Sequence, residues 1–170
     1  MRFNSSMDRS ARAVTIFVFA LFALVLTVQV HLAVEFPRQG LPIAITISLL
    51  FSIIVICLGF RVTALTLTEN ALLIHRPWRT KTILFSDIQK AEALDREDLS
   101  WSLRIFGIGG VFGYYGRFAN RKLGAMTWYL TRRDRTVLLR MKNGNKIVIS
   151  PDDCDGFLEA IQARHGLVSR

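Results

Sequence analysis

Two long apolar runs occupy the first third of the chain, and short segments of period two occupy the rest. Val14–Val34, VTIFVFALFALVLTVQVHLAV, contains no Asp, Glu, Lys or Arg. As a helix its 21 residues reach about 31 Å, which spans a hydrocarbon core of about 30 Å. Leu41–Phe60, LPIAITISLLFSIIVICLGF, is a second such run of 20 residues, with Pro42 in the first turn, where its missing N–H is not needed. Only Glu35–Gly40, EFPRQG, separates them, so a tight turn and an antiparallel helical hairpin are expected. The first run exceeds the roughly 7–15 apolar residues of a secretory signal, and no A-x-A site closes it, so it is expected to be retained.

From Arg61 onward the pattern shortens. VTALTLTENALLIHRPWRTKTILF predicts three strands with turns at Glu69-Asn70 and near Pro77–Thr80. A fourth strand is expected within Ser86–Leu94, and Asp95–Leu99 reads as a solvated charged loop. AMTWYLT predicts another strand, and TVLLRMKNGNKIVIS a hairpin, with Asn143-Gly144 as a type I′ turn. A helix follows, with Ser150 as N-cap, Pro151 in the first turn and Gly166 as the stop. Its Cys154, Phe157, Leu158 and Ile161 form one apolar stripe, expected to plug a curved sheet. Seven strands and one helix make a small α+β domain. Residues 1–13 are expected as an N-terminal tail, 14–60 as the transmembrane hairpin and 61–170 as the domain.

Charge orients this arrangement. Arg2, Arg9 and Arg12 precede the first run, Arg38 alone lies in the hairpin, and Arg61, Arg76, Arg79 and Lys81 follow the second run. The positive-inside rule then places both termini in the cytoplasm, as a two-span protein of the inner membrane. The chain is 51% hydrophobic with net charge +9, a combination that points to a membrane before a nucleic acid. Cys57 and Cys154 are too few for a disulfide framework and are read as unpaired thiols. Ala44, Ser48 and Ser52, facing Ala20, Ala23 and Thr27, are small residues spaced for close helix packing. Neither run holds an intramembrane carboxylate, Lys or Arg, and Gln29 and His31 lie near its outer end, so anchorage rather than transport is expected.

The stretch Ile105–Phe118, IFGIGGVFGYYGRF, carries glycines at 107, 109, 110, 113 and 116. A dinucleotide loop of the form G-x-G-x-x-G fails because Phe112 holds its last position, and no G-K-[ST] follows. Two explanations remain: a strand with a bulge or bend, or an uncharged segment, Ile105–Tyr115, that dips into an interface beside Trp101. His75 and His165 lie far apart, with no cluster at metal-ligand spacing. No nucleophile–base–orienter set is visible, so neither an enzyme nor a cofactor is expected. Residues 61–170 hold 18 Lys and Arg against 11 Asp and Glu. Arg117, Arg121, Lys122, Arg132, Arg133 and Arg135 gather in one stretch and are the candidate contacts for anionic lipid headgroups or a partner protein. Nucleic-acid binding would rest on charge alone, without a recognition motif.

Three passages carry a family resemblance: LTLTENALLIHRPWRTKTILFSDIQKAEAL, GIGGVFGYYGRF and IVISPDDCDGFLEAI. They resemble the membrane-associated bacterial PH-like proteins, of the pleckstrin-homology superfold, over nearly all of Arg61–Ala163. The resemblance implies a bent seven-stranded antiparallel sheet capped by a C-terminal helix. It favours the bent strand for the glycines. The chain as a whole reads as a two-helix anchor carrying a binding or scaffolding module, with an accessory subunit of a larger membrane complex as the alternative and a small membrane enzyme as the third reading. Eukaryotic PH domains that hold phosphoinositides place basic residues around their first hairpin; here that turn carries Glu69, and only Arg76, Arg79 and Lys81 lie further on.

Overall fold

The computed structural model describes residues 1–36 and 40–168, with side chains as far as Arg164. Helix α1 spans Arg9–Glu35 and α2 spans Gly40–Phe60. Asp8 caps α1: its carboxylate accepts the Ala11 N–H at 2.6 Å, satisfying one orphan donor of the first turn. Both helices are long and apolar enough to cross a membrane, and most of their surface is exposed, unlike that of a soluble core helix. The less exposed positions on α1, Val18, Phe22, Val25, Gln29 and Leu32, recur every three or four residues. Phe22 and Leu26 meet Ile47, Leu50 and Ile54 across a cleft between the helices. Ala44, Ser48 and Ser52 are exposed instead, so large apolar residues, not the small stripe, face α1. The expected turn at Pro37–Gln39 lies outside the described residues.

The rest forms two sheets. The first has order β1 (Arg2–Asn4), β2 (Ala64–Leu67), β3 (Ala71–His75), β4 (Lys81–Leu84), all antiparallel. The second comprises β5 (Ile88–Leu94), β6 (Leu103–Gly109), β7 (Tyr114–Asn120), β8 (Gly124–Leu130), β9 (Thr136–Met141) and β10 (Lys146–Ile149). Its order is β5-β9-β10-β8-β7-β6. The expected single antiparallel sheet of seven strands is therefore corrected to ten strands in two sheets among the described residues. One pair is parallel: β10 beside β8, with Val148 opposite Trp128. The β9–β10 hairpin inserts between β5 and β8, which no local pattern specifies.

Two further corrections concern turns. Gly144 has φ +80°, but Asn143 is not among the residues with positive φ, so the turn is not type I′. The Gly144 N–H donates to Met141 O and the Met141 N–H to Asn145 O, which makes a three-residue loop with glycine in the left-handed position. Asp95–Leu99 is not an irregular loop; Arg96–Leu99 is a 3-10 turn with a reciprocal Asp95/Asp98 capping box.

Helix α3 spans Cys154–Val168 and continues through Gly166. Asp153 precedes it and accepts the Gly156 N–H at 3.0 Å, so Asp153 rather than Ser150 serves the first turn. Ser150 is buried and accepts the Thr131 N–H. The expected stripe holds: Phe157 and Ile161 are buried in the core between the sheets, with Cys154 and Leu158 packed against it. Alternate residues of β9 serve opposite faces. Val137, Leu139 and Met141 enter this core, whereas Leu138 enters a second core beyond the sheet. There Trp128 stacks on Phe118, ring centroids 4.0 Å apart, and Ala11 from the first turn of α1 is fully buried. Both faces of β9 are covered, which is why Val137, Leu138 and Leu139 read as one apolar run.

The first eight residues are stitched into the domain. Phe3 meets Phe157 edge-on at 5.2 Å, the Ser5 hydroxyl donates to Ser150 O, and Asp152 accepts the Ser6 N–H.

Candidate functional site

The glycine-rich stretch forms the β6–β7 hairpin, and its tip rests on α1. The Phe112 N–H donates to Thr15 Oγ1 at 3.0 Å, and the Phe112 ring meets Phe19 edge-on at 5.9 Å. Gly110 approaches so closely that a Cβ there would lie 2.9 Å from Val14 Cγ1. Thr15 and Phe19 lie inside the uncharged run, so the hairpin tip reaches the level where that run begins. The Tyr115 hydroxyl donates to Phe112 O and fixes the tip from within. Burial pushes its phenol well above the ordinary range.

The expectation of a bent strand identifies the hairpin, but not which glycines matter. Gly107 and Gly116 stand opposite one another, with φ +126° and +130°. A Cβ on Gly116 would lie 2.7 Å from Gly107 Cα. Gly109 has no such φ and would meet only the Arg104 side chain, at 3.2 Å.

At the end of α2 the β3–β4 loop packs back on the helix. Trp78 covers Gly59, where a Cβ would lie 2.7 Å from the indole Cε3, and meets Phe60 edge-on at 5.8 Å. Arg76 lies 5.9 Å from the Phe60 ring and 5.3 Å from the Tyr129 ring, with its Nε donating to Arg79 O. Beside it opens a cavity of about 390 Å³ between α2 and the β6–β8 face. Ile56 and Phe60 form its helix side, and Gly107, Gly116 and Thr127 line the sheet side. Among the described residues Arg76 is the single charged group in the lining. In the sequence Arg76 carries topology and stands beyond the first hairpin; the signal that marks it is a basic residue next to Pro77 and Trp78 in a turn near an apolar helix.

The six basic candidates separate. Arg132, Arg133 and Arg135 lie on the β8–β9 loop, at the end of β8 where Leu130 pairs with Tyr114. Arg121 and Lys122 lie in the β7–β8 turn, at the other end of the seven-residue strands, about 20 Å away. Arg117 lies between, opposite Thr127. They form no single patch, because the strand reverses between them. Lys122 pairs with Asp98, whose carboxyl it holds below the ordinary range. Arg132 binds Asp134 at 2.6 Å and Asp152 at 3.4 Å. The Arg133 guanidinium sits over the Tyr114 ring at 4.9 Å, and its backbone N–H donates to the Asp8 carboxylate. With Arg9 and Arg96, these two arginines line a cavity of about 450 Å³ at the start of α1. Arg96, in the expected loop, has no sequence signal of its own.

Among the described residues no cluster of His, Cys, Asp or Glu is placed to hold a metal ion. His75 is half-buried and shares a 3.0 Å hydrogen bond with Thr66 Oγ1.

A two-sheet α+β domain closed by a C-terminal helix, carried on two helices long and apolar enough to cross a membrane, defines a PH-like module. The Bacterial PH domain family model matches residues 63–165, and the chain belongs to that family. No curated protein and no solved structure matches it.

Proposed function

We propose that the protein is a non-enzymatic binding module, anchored by two spans with both termini in the cytoplasm, whose domain lies against an anionic bilayer surface. PH-like domains are in general binding modules, which fits the absence of a catalytic motif in the sequence. Support comes above all from the seating of Phe112 on Thr15 and Phe19. It brings the domain against the start of the apolar run, and the same end presents Arg76, Trp78 and Arg79 on one loop and Arg132 and Arg133 on another. Basic groups at such a level gain about 1 kcal/mol each from anionic lipid, and tryptophan favours the interface.

The test is amide hydrogen exchange of the full chain in nanodiscs of phosphatidylcholine with or without phosphatidylglycerol. Segments 76–81 and 131–135 should exchange more slowly with the anionic lipid, and salt should reverse the effect. Equal exchange in both lipids overturns the proposal. Reporters after Arg170 and at Arg38–Gln39 should behave as cytoplasmic and external; opposite labelling overturns the orientation.

A second function, as accessory subunit of a larger membrane assembly, has its own support. Edge strand β6 exposes Leu103 at 76% and Phe106 at 79%, beside Trp101 at 95%. Such edges are usually blunted by charge, and here Arg104 alone interrupts the apolar side chains from Leu103 to Phe106. Leu103→Lys should then abolish co-purification of a defined partner from membranes; unchanged composition of the purified material argues against it.

A further inference from the structure

We infer that the cavity between α2 and the β6–β8 face holds one anionic phospholipid, its phosphate on Arg76 and an acyl chain against Ile56, Phe60 and Tyr115. This rests on the membrane-facing assignment proposed above and makes it specific to one site. The volume, about 390 Å³, lies in the range of small-molecule pockets. Among the described residues its lining is apolar or aromatic except for Arg76 and Thr127, and it includes no Asp or Glu.

Location selects the occupant. Ile56 and Phe60 belong to the uncharged run Leu41–Phe60 and are themselves partly exposed, so the cavity opens where acyl chains are the surrounding solvent. A water-soluble anion would have to enter along this apolar wall, whereas a lipid needs only to move sideways. Arg76 supplies the complementary charge. Its guanidinium lies between the Phe60 and Tyr129 rings and forms no ion pair among the described residues. The rings hold the planar group while its terminal N–H donors remain available to a phosphate, which accepts two of them in a fork geometry. The backbone permits the space: Gly107 and Gly116 present no side chains on the sheet side, and their close approach leaves no room for any.

The experiment is native mass spectrometry of the full chain released from micelles doped with equal phosphatidylglycerol and phosphatidylcholine. The wild type should keep one phosphatidylglycerol per chain after bulk lipid is stripped. Arg76→Gln should lower that retention at least tenfold, and Lys142→Gln, exposed in the β9–β10 loop and outside the lining, should leave it within twofold. Thr127→Phe fills the cavity while keeping Arg76 and should also abolish retention; it decides the matter if Arg76→Gln fails to fold. Retention unchanged in both Arg76→Gln and Thr127→Phe, or phosphatidylcholine kept as well as phosphatidylglycerol, overturns the site. If the nanodisc exchange still responds to anionic lipid, only the site falls. If that response is absent too, the membrane-facing assignment falls with it.

Discussion

The N–H of Phe112 donates to the hydroxyl of Thr15, 97 residues earlier in the chain. Thr15 in turn donates to Ala11 O at 2.7 Å, and Phe112 holds the left-handed backbone at φ +56°. A non-glycine residue in that region persists only where its surroundings fix it. One hydroxyl thus joins the hairpin tip to the first helix, and the domain is docked on its anchor as well as tethered to it.

Thr15→Val should therefore destabilise the protein. The methyl replaces the hydroxyl at nearly constant shape and leaves the buried Phe112 N–H without its acceptor, at a cost of about 1–3 kcal/mol. Thermal unfolding in detergent should show a lowered midpoint for Val and near wild-type behaviour for Thr15→Ser. Equal midpoints for all three would mean that the docking contributes nothing.

Gly116→Val should be far worse than Gly109→Val. At Gly116 the backbone needs φ +130° and a Cβ falls against the facing strand, whereas Gly109 has ordinary backbone and meets a movable arginine. Yield of folded protein and melting midpoint should separate the two. No nucleotide affinity should be found in either variant or in the wild type, because the phosphate-loop spacing fails.

Phe157→Ala should cost about 3–5 kcal/mol, as for large truncations in a packed core. Its partner Phe3 gives the sharper test. A double-mutant cycle between Phe3→Ala and Phe157→Ala should return a coupling of about 0.5–1.5 kcal/mol for the edge-on pair. Removal of residues 1–5 should lower stability as well, since it deletes β1 and the Ser5 hydrogen bonds. A truncated chain as stable as the full one would show that β1 is dispensable.

The Arg132 guanidinium hydrogen-bonds Asp134 and holds its carboxyl down at about 2, against 3.8 for an unperturbed aspartate. The folded state therefore gains from the ionised form above about pH 4. That gain is lost as pH falls from there through about 2. Asp134→Asn should flatten the acid limb of the stability curve in that window and leave the curve above pH 5 parallel to wild type. An unchanged acid limb would assign the acid sensitivity to other carboxylates, such as Asp152 or Glu92.

The sequence by itself determined what local periodicity carries. The two apolar runs, the strand from Ala71, the stripe from Cys154 to Ile161 and the failure of any phosphate loop follow from spacing, charge and turn chemistry within a few residues. The family passages came the same way. Tertiary structure alone decided the partners. A three-residue strand at Arg2–Asn4 has no signal until β2 lies beside it, and the parallel β8–β10 pair depends on where a hairpin inserts. The basic residues from Arg117 to Arg135 are neighbours in sequence, yet β8 carries Arg121 and Arg132 to opposite ends of a strand. Conversely Phe60, Arg76, Gly107 and Tyr129, spread along the chain from residue 60 to residue 129, meet around one cavity. Hydrogen bonding and burial reward contacts in space irrespective of separation along the chain, so the elements were legible before folding and the site was not.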